Sequence, residues 1–174
     1  MTIQELERVI ALYGKEIYSF CMHLAGNRQL ADELYQDTFL VATQKADRLQ
    51  PEENLKGYFL SVSIRLWKNQ KRKFAWRQRI APMEELFEDT GQSAAQETDS
   101  ALQEYLKKES RQAVNQAVHR LDEKYRIPIL LYYMEDMQIS DIARVLGIPQ
   151  GTVKSRLSTA RMHLKEELEE YFNE

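Results

Sequence analysis

The chain has 174 residues, a formal net charge of −3, one cysteine, six glycines and four prolines. That length accommodates one large or two small domains, and the helix-favouring composition leaves no place for a sheet. Cys21 alone excludes an intramolecular disulfide and a cysteine-rich zinc site. No apolar run approaches the roughly 20 residues of a membrane span, and the start Met1, Thr2, Ile3, Gln4, Glu5 lacks the form of a signal peptide, so a cytoplasmic protein is expected.

Thr2 with Glu5 reads as a capping box, and Leu6, Ile10, Tyr13, Ile17, Phe20 and Leu24 then recur at steps of four and three, which predicts one long amphipathic helix stopped near Gly26. Asn27 can cap the next helix. Its apolar positions Leu30, Leu34, Thr38 and Val41 leave Asp32, Glu33, Gln36 and Asp37 on other faces. Pro51 ends the following turn, and a third helix buries Leu55, Tyr58 or Phe59, Val62 and Leu66 before running into a basic stretch. Charge is segregated along this half: residues 1–55 carry −4, and residues 56–80 carry +8 with no acid. Three packed helices make a first domain, 1–80.

Residues 81–104 carry −7 and lose the helical period, which predicts a flexible acidic linker holding at most a short turn around Met83 to Phe87. Periodicity resumes with Leu102, Leu106, Ala113, Val114, Ala117 and Leu121. Asp122 can cap a strongly apolar helix from about Glu123 to Met134, kinked or limited by Pro128. Ser140 is then expected to cap a short helix carrying Ile142, Ala143, Val145 and Leu146, with Gly147 as the turn and Pro149 pre-setting the first turn of a last helix. Residues 105–174 form the second domain, and the fold class is all-α.

The unit from Ser140 to Leu168 has the form of a helix-turn-helix. Ala143 lets two helices cross closely, Gly147 permits a left-handed turn, and Ile148, Val153 and Leu157 pack the second helix on the first. The second helix presents Gln150, Gly151, Thr152, Lys154, Ser155, Arg156, Ser158 and Arg161. Cations there can hold phosphates while the polar groups reach base edges in a major groove. A solvated basic helix in an ordinary bundle is the bland alternative.

The run Leu121 to Arg126, followed by Ile142, Ala143, Leu146 to Leu157, Ala160, Arg161 and Leu164, resembles region 4 of the extracytoplasmic-function sigma factors. In that family this domain reads the minus thirty-five promoter element. Asp32, Glu33, Leu34, Gln36, Asp37, Thr38 and Phe39 resemble the region 2 helix that docks on the clamp helices of the largest RNA polymerase subunit. The polymerase-binding candidates are Asp32, Glu33, Gln36, Asp37 and Phe39. A carboxylate face with one exposed aromatic suits a basic partner, because opposite charge steers docking and the ring anchors it.

The segment from Lys56 to Ile80 interleaves its cations with Tyr58, Phe59, Trp67, Phe74 and Trp76. Cations track phosphates and aromatic faces stack unpaired bases, as capture of a melted strand requires. Phe59, at helical spacing with Val62, is assigned to the core. The resemblance makes this the element that recognises and opens the minus ten sequence, with candidates Arg65, Trp67, Lys68, Asn69, Lys71, Arg72, Lys73, Trp76 and Arg77. Arg65 stands where the family commonly has asparagine.

His23, His119 and His163 are scattered, no phosphate-binding glycine loop occurs, and no nucleophile has a motif around it, so neither catalysis nor a metal, cofactor or small-molecule substrate is expected. The resemblance implies a sigma factor whose partners are core RNA polymerase (the clamp helices and the flap of the second-largest subunit), promoter DNA and an anti-sigma factor, often membrane-anchored. It also implies association with the nucleoid when in holoenzyme. A stand-alone helix-turn-helix activator and a helical polymerase inhibitor are the alternatives.

Overall fold

The computed structural model describes residues 3–44, 54–80 and 101–173. Their regular structure is all helical: α1 (Ile3–Ala25), α2 (Arg28–Gln44), α3 (Leu55–Ile80), α4 (Ala101–Arg120), α5 (Glu123–Ile129), a π-helical turn (Leu130–Met134), α6 (Ile139–Leu146) and α7 (Gln150–Asn173). The chain divides into two compact units at residue 90, one holding α1–α3 and the other α4–α7. Thr2 of the expected capping box, Pro51 and residues 81–100 of the expected linker lie outside the described residues, as do the side chains of Leu102 and Leu106. Residues 101–104, expected at the linker's end, belong to α4, where the apolar period resumes.

In the first unit each helix packs on the other two. α1 contributes Val9, Ile17, Phe20, Cys21 and Leu24 to the core; Ile10, expected on that stripe, is exposed. The chain leaves α1 through Gly26 in the left-handed region (φ 68°). Asn27 then caps α2, its Oδ1 accepting from the backbone N–H of Gln29 at 2.8 Å and of Leu30 at 3.3 Å. α1 and α2 approach closely at Gly14, where a Cβ would lie 3.0 Å from the Tyr35 hydroxyl. The core is not wholly apolar: the buried hydroxyls of Thr38 and Ser63 meet at 3.0 Å, and each donates to a carbonyl of its own helix, Leu34 and Phe59. That satisfies polar groups whose burial would otherwise destabilise the bundle.

In the second unit α7 is the spine against which α4, α5 and α6 pack. Asp122 stands at the start of α5, but its side chain makes no capping bond; its carbonyl oxygen accepts from Tyr125 and Arg126. Pro128 is buried and has no N–H to offer its preceding turn. Two residues later the helix widens into the π-helical turn, closed by the Glu135 N–H donating to the Leu130 carbonyl at 3.2 Å. Asp136, at φ 52°, turns the chain out of it, a conformation that aspartate tolerates better than most side chains. Ser140 is not the cap of α6. The helix starts at Ile139 after Gln138, whose side chain makes no capping bond, so Ser140 falls inside the first turn, exposed. Arg126 is buried, with Nη1 donating to the His119 carbonyl oxygen at 3.0 Å and lying 2.9 Å from the His119 Nδ1; burial pushes its pKa down.

Candidate nucleic-acid interface

The helix-turn-helix is built from α6 and the first half of α7. Gly147 takes φ 65° and ψ 36°, and the N–H of Ile148 donates back to the Ala143 carbonyl at 3.1 Å, closing α6 with the bonding that only a left-handed residue permits. Pro149 opens α7, its carbonyl accepting from Thr152 at 3.0 Å and Val153 at 3.1 Å. Val153, Leu157 and Ala160 are buried, as are Ile142 and Ala143 of α6, so one face of α7 is fixed and the opposite face is defined. That outer face carries Gln150, Gly151, Lys154, Ser155, Ser158 and Arg161, all exposed, with Thr152 and Arg156 half-buried at its margins. The Ser155 hydroxyl donates to the Thr152 carbonyl at 3.1 Å. A Cβ on Gly151 would meet nothing within 4 Å, so a ligand can approach the backbone there without obstruction.

The sequence reading missed one contact on this helix. Nε of Arg161 donates to the Tyr133 hydroxyl at 2.7 Å, and the guanidinium lies 5.7 Å from the ring centres of both Tyr132 and Tyr133. Tyr133 was legible only as part of an apolar run, because nothing in local spacing relates positions 28 residues apart.

α3 carries the second basic element. Arg65 and Lys68 are exposed, Asn69 is half-buried, and everything from Lys71 to Arg77 is exposed, with Trp76 65 % and Phe74 46 % accessible. Arg72 is hydrogen-bonded to Asn69. Trp67 corrects the expectation: it is only 6 % accessible and belongs to the core, four residues after buried Ser63 and three after buried Ile64. Its ring lies 5.9 Å from the Lys71 ammonium. A base cannot stack on it without the unit opening.

On α2, Glu33, Gln36 and Asp37 are exposed and Asp32 is half-exposed. Tyr18 donates to Asp32 at 2.7 Å, and Arg28 stands 4.0 Å away; the bond to Asp32 raises the Tyr18 pKa, which keeps the phenol protonated as a donor. Phe39 is the second correction. It is 9 % accessible, its ring 4.7 Å from that of Tyr35 and 4.8 Å from that of Phe59, because position 39 shares the inward stripe with Ala31, Thr38 and Ala42. The apolar side chain that this region does present is Leu40, 56 % accessible. Among the described residues no cluster of His, Cys, Asp or Glu could hold a metal, and no helix is long and apolar enough to cross a membrane.

Residues 9–78 match Sigma-70 region 2, and residues 111–164 match Sigma-70 region 4. Over 166 residues the chain is 25 % identical to the ECF RNA polymerase sigma factor SigW of Bacillus subtilis, covering 92 % of this chain and 87 % of that protein. It is 28 % identical over 146 residues to the ECF RNA polymerase sigma factor EcfG of Rhodopseudomonas palustris, covering 84 % of this chain and 75 % of that one. The fold is that of the sigma factor RpoE of Bartonella quintana, solved in complex with the anti-sigma factor NepR, with a TM-score of 0.80, 24 % identity and coverage of 96 % of this chain and 98 % of that one. With both conserved regions present in order over most of its length, the chain belongs to the sigma-70 family and is an extracytoplasmic-function sigma factor.

Proposed function

We propose that the chain binds core RNA polymerase through the acidic face of α2, engages the melted minus ten element through the basic end of α3, and reads the minus thirty-five element through the outer face of α7. The observation that carries this reading is α7 itself: a helix fixed along one face by Val153, Leu157 and Ala160, with four cations and no acid over residues 150–165. A rigid helix with a cationic, hydrogen-bonding outer face is what a major groove admits.

On α2 the anchor is Leu40 rather than Phe39, beside Asp32, Glu33, Gln36 and Asp37. On α3 the strand-binding groups are Arg65, Lys68, Asn69, Lys71, Arg72, Lys73, Phe74, Trp76 and Arg77, with Trp67 supporting them from the core. Residues 1–80 and 101–174 are then the polymerase-and-minus-ten and the minus-thirty-five modules, joined by 81–100. The chemistry of RNA synthesis stays with the polymerase. The Bartonella complex supports an anti-sigma factor as a further partner, and the site of action is the cytoplasm, on the nucleoid in holoenzyme or held by such a partner.

Run-off transcription tests the reading. Core polymerase given this chain should initiate at a discrete set of start sites in a genomic promoter library, and core alone should not. Initiation at no site beyond those of core alone would overturn it. A shift of the same DNA by the chain without polymerase, with unaltered start-site choice, would favour the stand-alone activator.

A further inference from the structure

Tyr133 is 61 % accessible, yet its hydroxyl is bonded to the Arg161 Nε at 2.7 Å and its ring packs edge-on against Tyr132 at 4.9 Å between centres. Arg161 is also exposed, and among the described residues no carboxylate pairs with it. A surface arginine tied by its Nε to a phenol, with aromatic rings close by, is held in place but not neutralised. Its two Nη groups keep four N–H donors, and the Tyr133 hydroxyl, accepting from Nε, retains its own proton to donate. All these groups donate, and the oxygens of a DNA phosphate only accept.

The position on α7 selects phosphate over base. Lys154, Ser158, Arg161 and Lys165 recur at helical spacing along one stripe, so Arg161 stands two turns beyond Lys154, about 10 Å further along the axis. Recognition helices aim their leading turns at base edges, and by that depth the axis is leaving the groove for the backbone. We infer that Tyr133 and Arg161 form a single phosphate clamp at the flank of the recognition helix, with Tyr133 the positioning residue for the guanidinium and a donor in its own right. An untethered arginine gives up most of its rotamer freedom on binding, and the bond to Tyr133 has removed much of that freedom beforehand. This inference rests on the promoter-binding reading of α7.

The test uses the full chain assembled with core polymerase and a pool of duplexes carrying a randomised upstream element, with affinity and selected bases measured for wild type, Tyr133→Phe, Arg161→Ala and the double variant. Arg161→Ala should lower the slope of log affinity against log salt by about 0.9, so that the wild-type advantage shrinks about threefold between roughly 50 and 200 mM salt. Tyr133→Phe keeps the ring and removes the hydroxyl. It should weaken binding about threefold across the whole pool without changing the selected bases, and should cost less in the Arg161→Ala background, where only its own donation is left to lose. A structural defect would lower the active fraction in both backgrounds alike, and that additive result overturns the clamp. So does a Tyr133→Phe protein that binds as wild type, or one that selects different bases. If the wild-type holoenzyme retains no more of the pool than core polymerase does, the promoter-binding reading itself has failed, not only the clamp.

Discussion

On the proposed function, the two basic elements, the end of α3 and the start of α7, would meet opposite problems with similar residues. On α7 a buried side chain recurs every three or four positions through Val153, Leu157 and Ala160, so the cations occupy a face whose orientation the core dictates. On α3 burial ends at Trp67, and from Lys71 to Arg77 the helix is exposed all round. Intact duplex presents a fixed pattern of donors and acceptors, which a rigid face can match. A melted strand has no fixed shape, and a helix end with cations and aromatic rings on every side can meet it in several ways.

The largest expected effect lies at the border where α3 changes character. Trp67→Ala should cost the first unit about 3 to 5 kcal/mol in denaturant unfolding, as deletion of a large buried aromatic does. Trp76→Ala, nine residues on, should leave stability within about 0.5 kcal/mol. It should instead weaken strand capture by about 1 to 3 kcal/mol, read as loss of permanganate-reactive thymines in the open complex. Equal stability losses in the two variants would erase the distinction between core and strand-binding aromatics.

The acidic face of α2 gives the next effect. Reversing charge at Asp32, Glu33 and Asp37 should weaken holoenzyme assembly by about 2 to 5 kcal/mol if the carboxylates are desolvated by the partner, and chiefly slow association if they stay at its rim. Leu40→Ala should weaken assembly with unchanged folding, whereas Phe39→Ala should unfold the unit through loss of the Tyr35–Phe39–Phe59 stack. Kinetics of core binding together with circular dichroism decide both; unchanged assembly in the charge-reversed protein removes the docking assignment.

These pairs also mark what the sequence could and could not disclose. The all-helical class, the Asn27 cap and the Gly147 turn were legible because each is settled within one turn of chain. Phe39 and Trp67 were not, since both lie at the edge of an amphipathic stripe, where one position of helix rotation decides between core and surface. Ser140 fits the capping pattern, but Gln138 takes the position without supplying a side-chain bond. The Tyr133–Arg161 contact is purely tertiary, and the resemblance that pointed to α7 carried no information about what holds its side chains.

A smaller effect tests the rigid member of the comparison. Gly147→Ala places a side chain where nothing lies within 4 Å, so any loss comes from the left-handed backbone at φ 65° and not from a clash. About 1 to 2 kcal/mol of stability should be lost from the second unit. If the helix-turn-helix works by fixed geometry, promoter selection should degrade along with it while initiation from an artificially melted template persists. A Gly147→Ala protein with wild-type unfolding would show that the turn is not strained by a side chain.

The smallest effects lie at two helix starts that look interchangeable in sequence, each a cap-forming residue ahead of an apolar helix. Asn27 accepts two backbone N–H bonds at the start of α2, so Asn27→Ala leaves those donors to solvent and should cost the first unit about 1 kcal/mol. The Asp122 side chain makes no capping bond to the α5 backbone, and its carboxylate instead lies 3.9 Å from the ammonium of Lys124 in an exposed pair. Asp122→Ala therefore removes only an exposed ion pair and a charge near the helix start, worth a few tenths of a kcal/mol at about 0.1 M salt and less as salt rises. Chemical denaturation at low and high salt separates the two. The Asn27 loss should be independent of salt and the Asp122 loss should vanish; a salt-independent loss near 1 kcal/mol at Asp122 would mean that its side chain caps α5 after all.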